Sequence, residues 1–292
     1  MGLSETYNKV KRSIVAFVPK YFNVNPDNPK PPAFPPIFGT GFIFREDGLI
    51  ATNNHVLSVF GKVLQDPKNP NEYPVLALLF TPSERGMVEI RLEVISMGGI
   101  RSIVHKKDIE DHYKIPTPDL GYVQVRAKGL PALELEDSDC VAEGIEIATA
   151  GFPMGSDLLA EGGRLKQTTP ILQRGIVSSV LPFPSKNNTG FMINVMAQGG
   201  ASGSPVFMPE SGRVIGILFS RVYDFEETKK GDLSKAPTNF SYCVPSNYLR
   251  RIMDEHLAHV NLELPPDTLS LTEMLKKSKQ INILDWEDRD PL

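Results

Sequence analysis

Short apolar runs, each bounded by glycine, proline or polar residues, recur along most of the chain. In the first half they fall at 14–18, 38–44, 48–54, 73–80, 88–96 and 119–126, and in the second at 145–152, 173–181, 190–196, 204–208, 213–222 and 239–244. Runs of this length, rich in Val, Ile, Phe and Thr and punctuated by turns such as Glu46-Asp47-Gly48, predict β-strands. Twelve short strands with no helix alternating between them predict an all-β protein built as two antiparallel six-stranded barrels. Residues 127–139 read as the crossing between the two. Apolar residues at Tyr248, Leu249, Ile252, Met253, Leu257 and Val260 keep helical spacing. They predict a helix over 246–260, with Ser246 or Asn247 able to cap it. A second helix is predicted over 270–280, ahead of an acidic tail at 285–292. The chain opens on a short helix that leads into the first strand. The proline-rich stretch 25–36 must be a loop, because proline removes a donor and locks φ. The segments 156–167 and 224–237 read as polar loops. The expected division is 1–126 for the N-terminal barrel, 127–248 for the C-terminal barrel, and 249–292 for the C-terminal helix and tail.

Composition narrows the function without naming it. The 292 residues are 41% hydrophobic, enough for real cores, and the net charge of -4 excludes a basic nucleic-acid-binding surface. No apolar run approaches the length of a membrane span. The N-terminus has neither the basic nor the apolar region of a secretory signal, and Met1-Gly2 with Thr6 fits a myristoylation pattern that is short and common. Cys140 and Cys243 are the two cysteines; neither has metal-ligand spacing, and two unpaired thiols suit a reducing compartment. The expectations are a cytoplasmic protein with no cofactor and no metal.

One loop carries candidate chemistry. Gly199-Gly200-Ala201-Ser202-Gly203-Ser204-Pro205 sets a serine among small residues, where two backbone amides can converge on one point. Beside a nucleophilic serine, that point is where an oxyanion would sit, and Gly200 and Ser202 are the candidate donors. A plain tight turn has the same composition. A serine needs a base, usually a histidine oriented by a carboxylate. Of the five histidines, His55 falls at the end of a predicted strand, whereas His105 and His112 lie in a charged irregular stretch, and His256 and His259 in the predicted helix. Asp119 stands at the mouth of an apolar strand; Asp108 and Asp111 are rivals that introduce no such strand.

The segments Thr52-Asn53-Asn54-His55-Val56, Asp119-Leu120-Gly121-Tyr122-Val123 and Gly200-Ala201-Ser202-Gly203-Ser204-Pro205, in that order, resemble a chymotrypsin-clan serine protease. The finer resemblance is to the HtrA/Deg branch. It is supported by Gly39-Thr40-Gly41-Phe42-Ile43, Gly151-Phe152-Pro153-Met154-Gly155, Gly175-Ile176-Val177-Ser178-Ser179, Val214-Ile215-Gly216-Ile217 and Tyr242-Cys243-Val244-Pro245-Ser246-Asn247. It runs over about residues 5–255 and implies a chymotrypsin-like fold.

It also implies endopeptidase activity through an acyl-enzyme on protein or peptide substrates, with Ser202 as nucleophile, His55 as base and Asp119 orienting His55. In this register Met196, six residues before Ser202, lines the specificity pocket with Ala197, and Phe219, Ser220 and Arg221 form its wall. Methionine offers no charge, so cleavage after apolar residues is expected, with attraction of an acidic residue by Arg221 as the competing outcome. Alanine at 201 cannot pair with a newly released N-terminus, so zymogen activation of that kind is not expected. No PDZ-like repeat follows, although many members of the branch carry one. Members often assemble as trimers, which makes a homo-oligomer an expectation of the resemblance alone. The alternative is a catalytically weak binding or chaperone-like module on the same fold, against which the presence of all three triad residue types argues. An α/β-hydrolase is excluded, because position 204 is Ser rather than Gly and the serine comes last in the order.

Overall fold

The first strand shows how the sequence dictates the architecture. β1 (Ile14–Pro19) is buried at every position. Side chains alternate across a strand. Val15 and Phe17 enter one apolar cluster with Ile43, Ile50, Leu79, Leu92 and Val123. Ile14, Ala16 and Val18 enter a different one with Phe42, Leu78, Phe152, Phe207 and Ile217. The first cluster fills a barrel, and the second fills the seam between two barrels. A strand with both faces covered reads as a continuous apolar run rather than an alternating one.

The protein is seen in a computed structural model that describes residues 2–20, 35–63, 69–83, 86–99, 118–153, 169–181, 190–227, 233–255, 257 and 262–277, with backbone alone at 83, 86–87, 220–227 and 233–237. Helix α1 (Leu3–Val10) and one tighter turn (Lys11–Ser13) lead into β1. β2 (Gly39–Arg45) and β3 (Leu49–Thr52) form a hairpin, followed by helix α2 (Asn54–Phe60). β4 (Val75–Ser83), β5 (Gly86–Gly99) and β6 (Gly121–Val125) complete a closed antiparallel barrel in the order β1-β2-β3-β6-β5-β4. β7 (Glu146–Gly151), β8 (Ile171–Leu181), β9 (Gly190–Ile193), β10 (Pro205–Phe207), β11 (Val214–Glu227) and β12 (Leu233–Pro245) close the second, in the order β10-β11-β12-β9-β8-β7. Ile147, Val177, Phe191, Ile193, Val206 and Ile215 fill its interior. The fold is all-β and chymotrypsin-like, as expected, and closure leaves neither barrel with a free edge.

Helix α3 (Ser246–Glu255) inserts Leu249 and Ile252 into the seam. Helix α4 (Leu271–Lys277) packs Leu271, Met274 and Leu275 against the first barrel. Ser270 and Glu273 form a reciprocal cap at its start: the Ser270 amide and hydroxyl donate to Glu273 Oε2, and the Glu273 amide donates to Ser270 Oγ. The Arg126–Asp267 ion pair and the bond from Gln124 Nε2 to Leu262 O tie the same segment to β6 and the residue after it.

Three expectations need correction. His55 does not end a strand: it lies in the first turn of α2, whose seven residues bury Val56, Leu57 and Phe60 but are too few to show helical periodicity. The stretch 224–237 is not a loop throughout, since Tyr223↔Pro237 to Glu227↔Leu233 continue the β11–β12 ladder; a pair of strands leaving a barrel can keep its backbone bonds without an apolar face. Ser246 and Asn247 do not serve as free caps for α3. Ser246 Oγ donates to Glu136 O, and Asn247 exchanges bonds with Ser138 and donates to Asp137 and Asp139, pinning the helix to the inter-barrel crossing. The expected helix ends at 260 and 280 lie outside the described residues, as do 256, 258–259 and 278–279. The segments 25–34, 156–167 and 285–292 lie outside the described residues.

Cys140 and Cys243 are both unpaired, the first exposed and the second buried. Burial pushes the Cys243 thiol well above its ordinary value, and partial burial together with Glu136 and Asp137 raises Cys140. Both are protonated and sluggish at neutral pH. Mass spectrometry after iodoacetamide treatment without reductant should show slow labelling at Cys140 alone in native protein and two adducts after denaturation; no adduct in denaturant would mean a disulfide.

Candidate active site

Asp119 and His55 come from the first barrel, 64 residues apart. The Asp119 carboxylate receives two hydrogen bonds from the histidine. The His55 amide, at the start of α2, donates to Oδ1 at 3.0 Å. The ring Nδ1 bonds Oδ2. An ionised carboxylate can only accept, so Nδ1 is the donor of this bond, and in the neutral imidazole Nε2 then presents its lone pair. The His55 side chain is 47% exposed and Asp119 25%, so the ring faces open solvent above a partly shielded carboxylate. Asn53, fully buried, donates from Nδ2 to the Asp119 main-chain carbonyl at 2.8 Å. Asp119 is thereby held at its backbone as well as at its carboxylate. Asn53 Oδ1 has no hydrogen-bond partner among the described residues.

Ser202 lies on the loop between β9 and β10 of the second barrel. Its carbonyl accepts from the Thr40 amide on β2 at 2.8 Å, and the next amide, Gly203, donates to Leu218 O at 2.8 Å. Gly203 has φ 90°, and a Cβ there would sit 1.9 Å from Thr40 O and 2.5 Å from Thr52 Oγ1. Only glycine lets the nucleophile loop approach the first barrel this closely. Gly200 has φ 88°. Its carbonyl accepts from Thr40 Oγ1 at 2.7 Å. Ala201 N–H is spent on Gln198 O, and Ala201 O takes bonds from the Ser204 amide and hydroxyl. Among the described residues the amides of Gly200 and Ser202 donate to nothing. Ser202 Oγ donates to Phe219 O at 3.4 Å and makes no hydrogen bond to His55.

The pocket candidates surround this loop. Val195 and Ala197 are buried and Met196 is half-buried. The buried Ser241 hydroxyl on β12 donates to Val195 O at 2.5 Å and accepts from the Ala197 amide at 2.9 Å, clamping the chain on both sides of Met196. Gln198 Nε2 approaches Met196 Sδ at 3.6 Å. Phe219, half-buried, stacks on Tyr242 with centroids 5.8 Å apart. Ser220 and Arg221 pair with Tyr242 and Ser241 along the β11–β12 ladder, and their side chains lie outside the described set. So do His105, His112, His256, His259, Asp108 and Asp111. Among the described residues no group of His, Cys, Asp and Glu is placed to hold a metal ion. A groove of about 520 Å³ lined by Glu89, Arg91, Arg126, Asp267 and Met274 involves none of these cleft residues.

The structure therefore brings together His55 with Asp119, and Ser202 with Gly200, along the line where the barrels meet. Thr40, Asn53, Ser204 and Ser241 are buried polar residues at the site to which the sequence alone assigned no role. For Thr40 and Asn53 the available signal was a polar residue inside an otherwise apolar run. Ser241 carried no signal.

Comparison with known proteins bears on the family and the fold. The family description "Trypsin-like peptidase domain" matches residues 39–217, more than half of the chain. A probable periplasmic serine endoprotease, DegP-like, from Marinomonas sp. (strain MWYL1) is 26% identical over 218 residues, 74% of this chain but 35% of its own length. The chain thus spans about a third of the curated relative it matches. Among solved structures, the HtrA-type protease AlgW with a decapeptide superposes with TM-score 0.54 at 16% identity, covering 89% of this chain and 68% of that one. The serine endoprotease from Yersinia pestis gives TM-score 0.54 at 14% identity with the same coverage. These likenesses are of fold. On the family match, which takes in the histidine, the aspartate and the serine of the cleft, the chain belongs to the trypsin-like peptidase family.

Proposed function

We propose that the protein is a serine endopeptidase in which Ser202, His55 and Asp119 act as one catalytic unit. The observation that carries this reading is the Asp119–His55 pair facing a loop on which Ser202 stands beside two unspent amides. Ser202 Oγ adds to the scissile carbonyl carbon while its proton passes to His55 Nε2. The resulting oxyanion is received by the Gly200 and Ser202 amides. The C–N bond then breaks, the departing amine takes the proton from His55, and an ester to Ser202 remains. Water, deprotonated by the same nitrogen, releases the acid and restores the serine. For the first step the Ser202 hydroxyl must give up Phe219 O and donate to His55. Asp119 stays ionised and stabilises the imidazolium.

An activity-based fluorophosphonate probe tests the reading, together with digestion of a denatured protein and sequencing of the cut sites. Labelling and cleavage by the native chain, both absent in Ser202→Ala, are expected. A native protein that neither labels nor cleaves would leave the binding-module alternative.

The substrate class follows from the pocket. Met196 and its buried neighbours Val195 and Ala197 offer no carboxylate, and a lysine or arginine buried without a partner pays a large desolvation cost. Apolar pockets discriminate by only about 1–3 kcal/mol per methylene. Cleavage is expected after Val, Ile, Leu, Met or Ala with broad tolerance, the substrate adding as a strand beside β11 at Phe219. Peptide-library profiling checks this; dominant cleavage after Lys or Arg would refute it. The cytoplasmic location is proposed on the two reduced cysteines alone. Cell fractionation tests it against the periplasmic placement in the name of the Marinomonas relative.

A further inference from the structure

We propose that Thr40 is a positioning residue that sets the conformation of the oxyanion loop from the opposite barrel, an inference that rests on the proteolytic reading above. Thr40 is fully buried in β2. A polar group there is costly unless it is bonded, and every polar atom of Thr40 is bonded. Its amide donates to Ser202 O at 2.8 Å. Its hydroxyl donates to Gly200 O at 2.7 Å and accepts from the Phe152 amide, just past β7, at 3.1 Å. Its carbonyl accepts from Thr52 Oγ1, at the end of β3, at 2.8 Å. One residue thus joins the strand before the histidine, the end of β7 and the nucleophile loop.

The two loop bonds fall on the carbonyls either side of Ala201. Sterics alone do not orient Gly200, because a glycine at φ 88° has neighbouring conformations open to it on both sides. The hydroxyl bond narrows that freedom by fixing the Gly200–Ala201 peptide plane through the Gly200 carbonyl, so that only φ and ψ of Gly200 separate an anchored plane from the Gly200 amide. The Thr40 amide fixes the Ser202 end. The main-chain bond survives any substitution at 40 that keeps the strand, so the hydroxyl is the part that the side chain contributes. Its work is to keep two amides converged before substrate arrives, which matters for the transition state and not for ground-state binding.

Thr40→Val keeps the shape and removes the hydroxyl; Thr40→Ser keeps the hydroxyl and removes a methyl. Steady-state hydrolysis of a peptide substrate should show kcat falling roughly 10- to 100-fold in Thr40→Val, somewhat less than the loss on deleting an oxyanion donor itself. KM should stay within about twofold, since the lost interaction acts only in the transition state. The rate of fluorophosphonate labelling should fall by a similar factor, and Thr40→Ser should remain within about threefold of the native enzyme in all three readouts. Melting curves establish that each variant is folded. The inference is overturned by a folded Thr40→Val with native kcat, by a rise in KM at constant kcat, or by equal losses in the valine and serine variants. If Thr40→Val does not fold, a loss beyond about tenfold in folded Thr40→Ser overturns it and retention of activity supports it. A native enzyme that neither labels nor cleaves refutes the proteolytic reading itself, a different result from any of these.

Discussion

Replacing Ser202 by alanine is expected to lower peptide hydrolysis on the order of 10⁴-fold or more, and His55→Ala to do about the same. Both substitutions remove part of one proton-transfer unit: without the hydroxyl there is nothing to acylate, and without the imidazole the hydroxyl keeps its proton. Asp119→Asn is the more telling variant. An amide can donate to His55 Nδ1, which would then give up its proton and leave Nε2 protonated and unable to act as base. The bond from the His55 amide to Oδ1 can be kept by the asparagine oxygen, so the ring loses its tautomer rather than its place. A loss on the order of 10⁴-fold is expected from this tautomer change alone. Because the three residues act together, Ser202→Ala with His55→Ala should be scarcely worse than Ser202→Ala. Single-turnover hydrolysis of a fluorogenic peptide measures all four. Near-native turnover in Asp119→Asn would end the assignment of Asp119, with Asp111 the next residue to test.

The second large effect comes from a residue with no side chain. Gly203→Ala places a methyl 1.9 Å from Thr40 O and 2.5 Å from Thr52 Oγ1, both buried in the first barrel, at a φ of 90° that an L side chain rarely adopts. The backbone conformation costs about 1–2 kcal/mol. Overpacking against the opposite barrel costs a further 1–3 kcal/mol or so. The sum is a large part of the stability of an ordinary domain, about 5–15 kcal/mol. The chain can lower that cost only by withdrawing the loop from β2, which breaks the bonds from Thr40 to Ser202 and Gly200. Gly203→Ala should therefore lose stability and turnover together. Gly144→Ala separates the two contributions: φ is 86°, but no atom lies within 4 Å of the added methyl. It should pay the backbone cost alone, about 1–2 kcal/mol, with turnover unchanged. Denaturant midpoints and kcat measured side by side check both, and equal destabilisation by the two substitutions would show that the close approach of the barrels has been misjudged.

Much of this protein is written locally. Strand positions follow from apolar runs and the turns between them, and β1, β2 and β3 came within a residue or two of their expected bounds because a run buried on both faces leaves little ambiguity. His55, Asp119 and Ser202 were legible because each stands in a short motif beside a strand, where its residue type has few other uses. The seven-residue helix carrying His55 was not, since two turns show no period that distinguishes them from a strand end. Nor was the extension of β11 and β12 through 224–237, whose pairing is a matter of backbone bonds that polar side chains do not announce.

What tertiary structure alone decided is which polar groups meet. Thr40 and Gly200 are 160 residues apart, Asn53 and Asp119 66, and Ser241 and Val195 46. Each of these bonds joins two segments whose own sequences are complete without it, and each exists because the closed barrels and the seam between them bring both ends to one place. A buried hydroxyl or amide must find a partner there, and the partner is selected by which strands the closed sheet sets side by side. The residue types needed for an acyl-enzyme mechanism are a property of the sequence; the orientation of the loop that would stabilise its oxyanion is a property of the seam between the barrels.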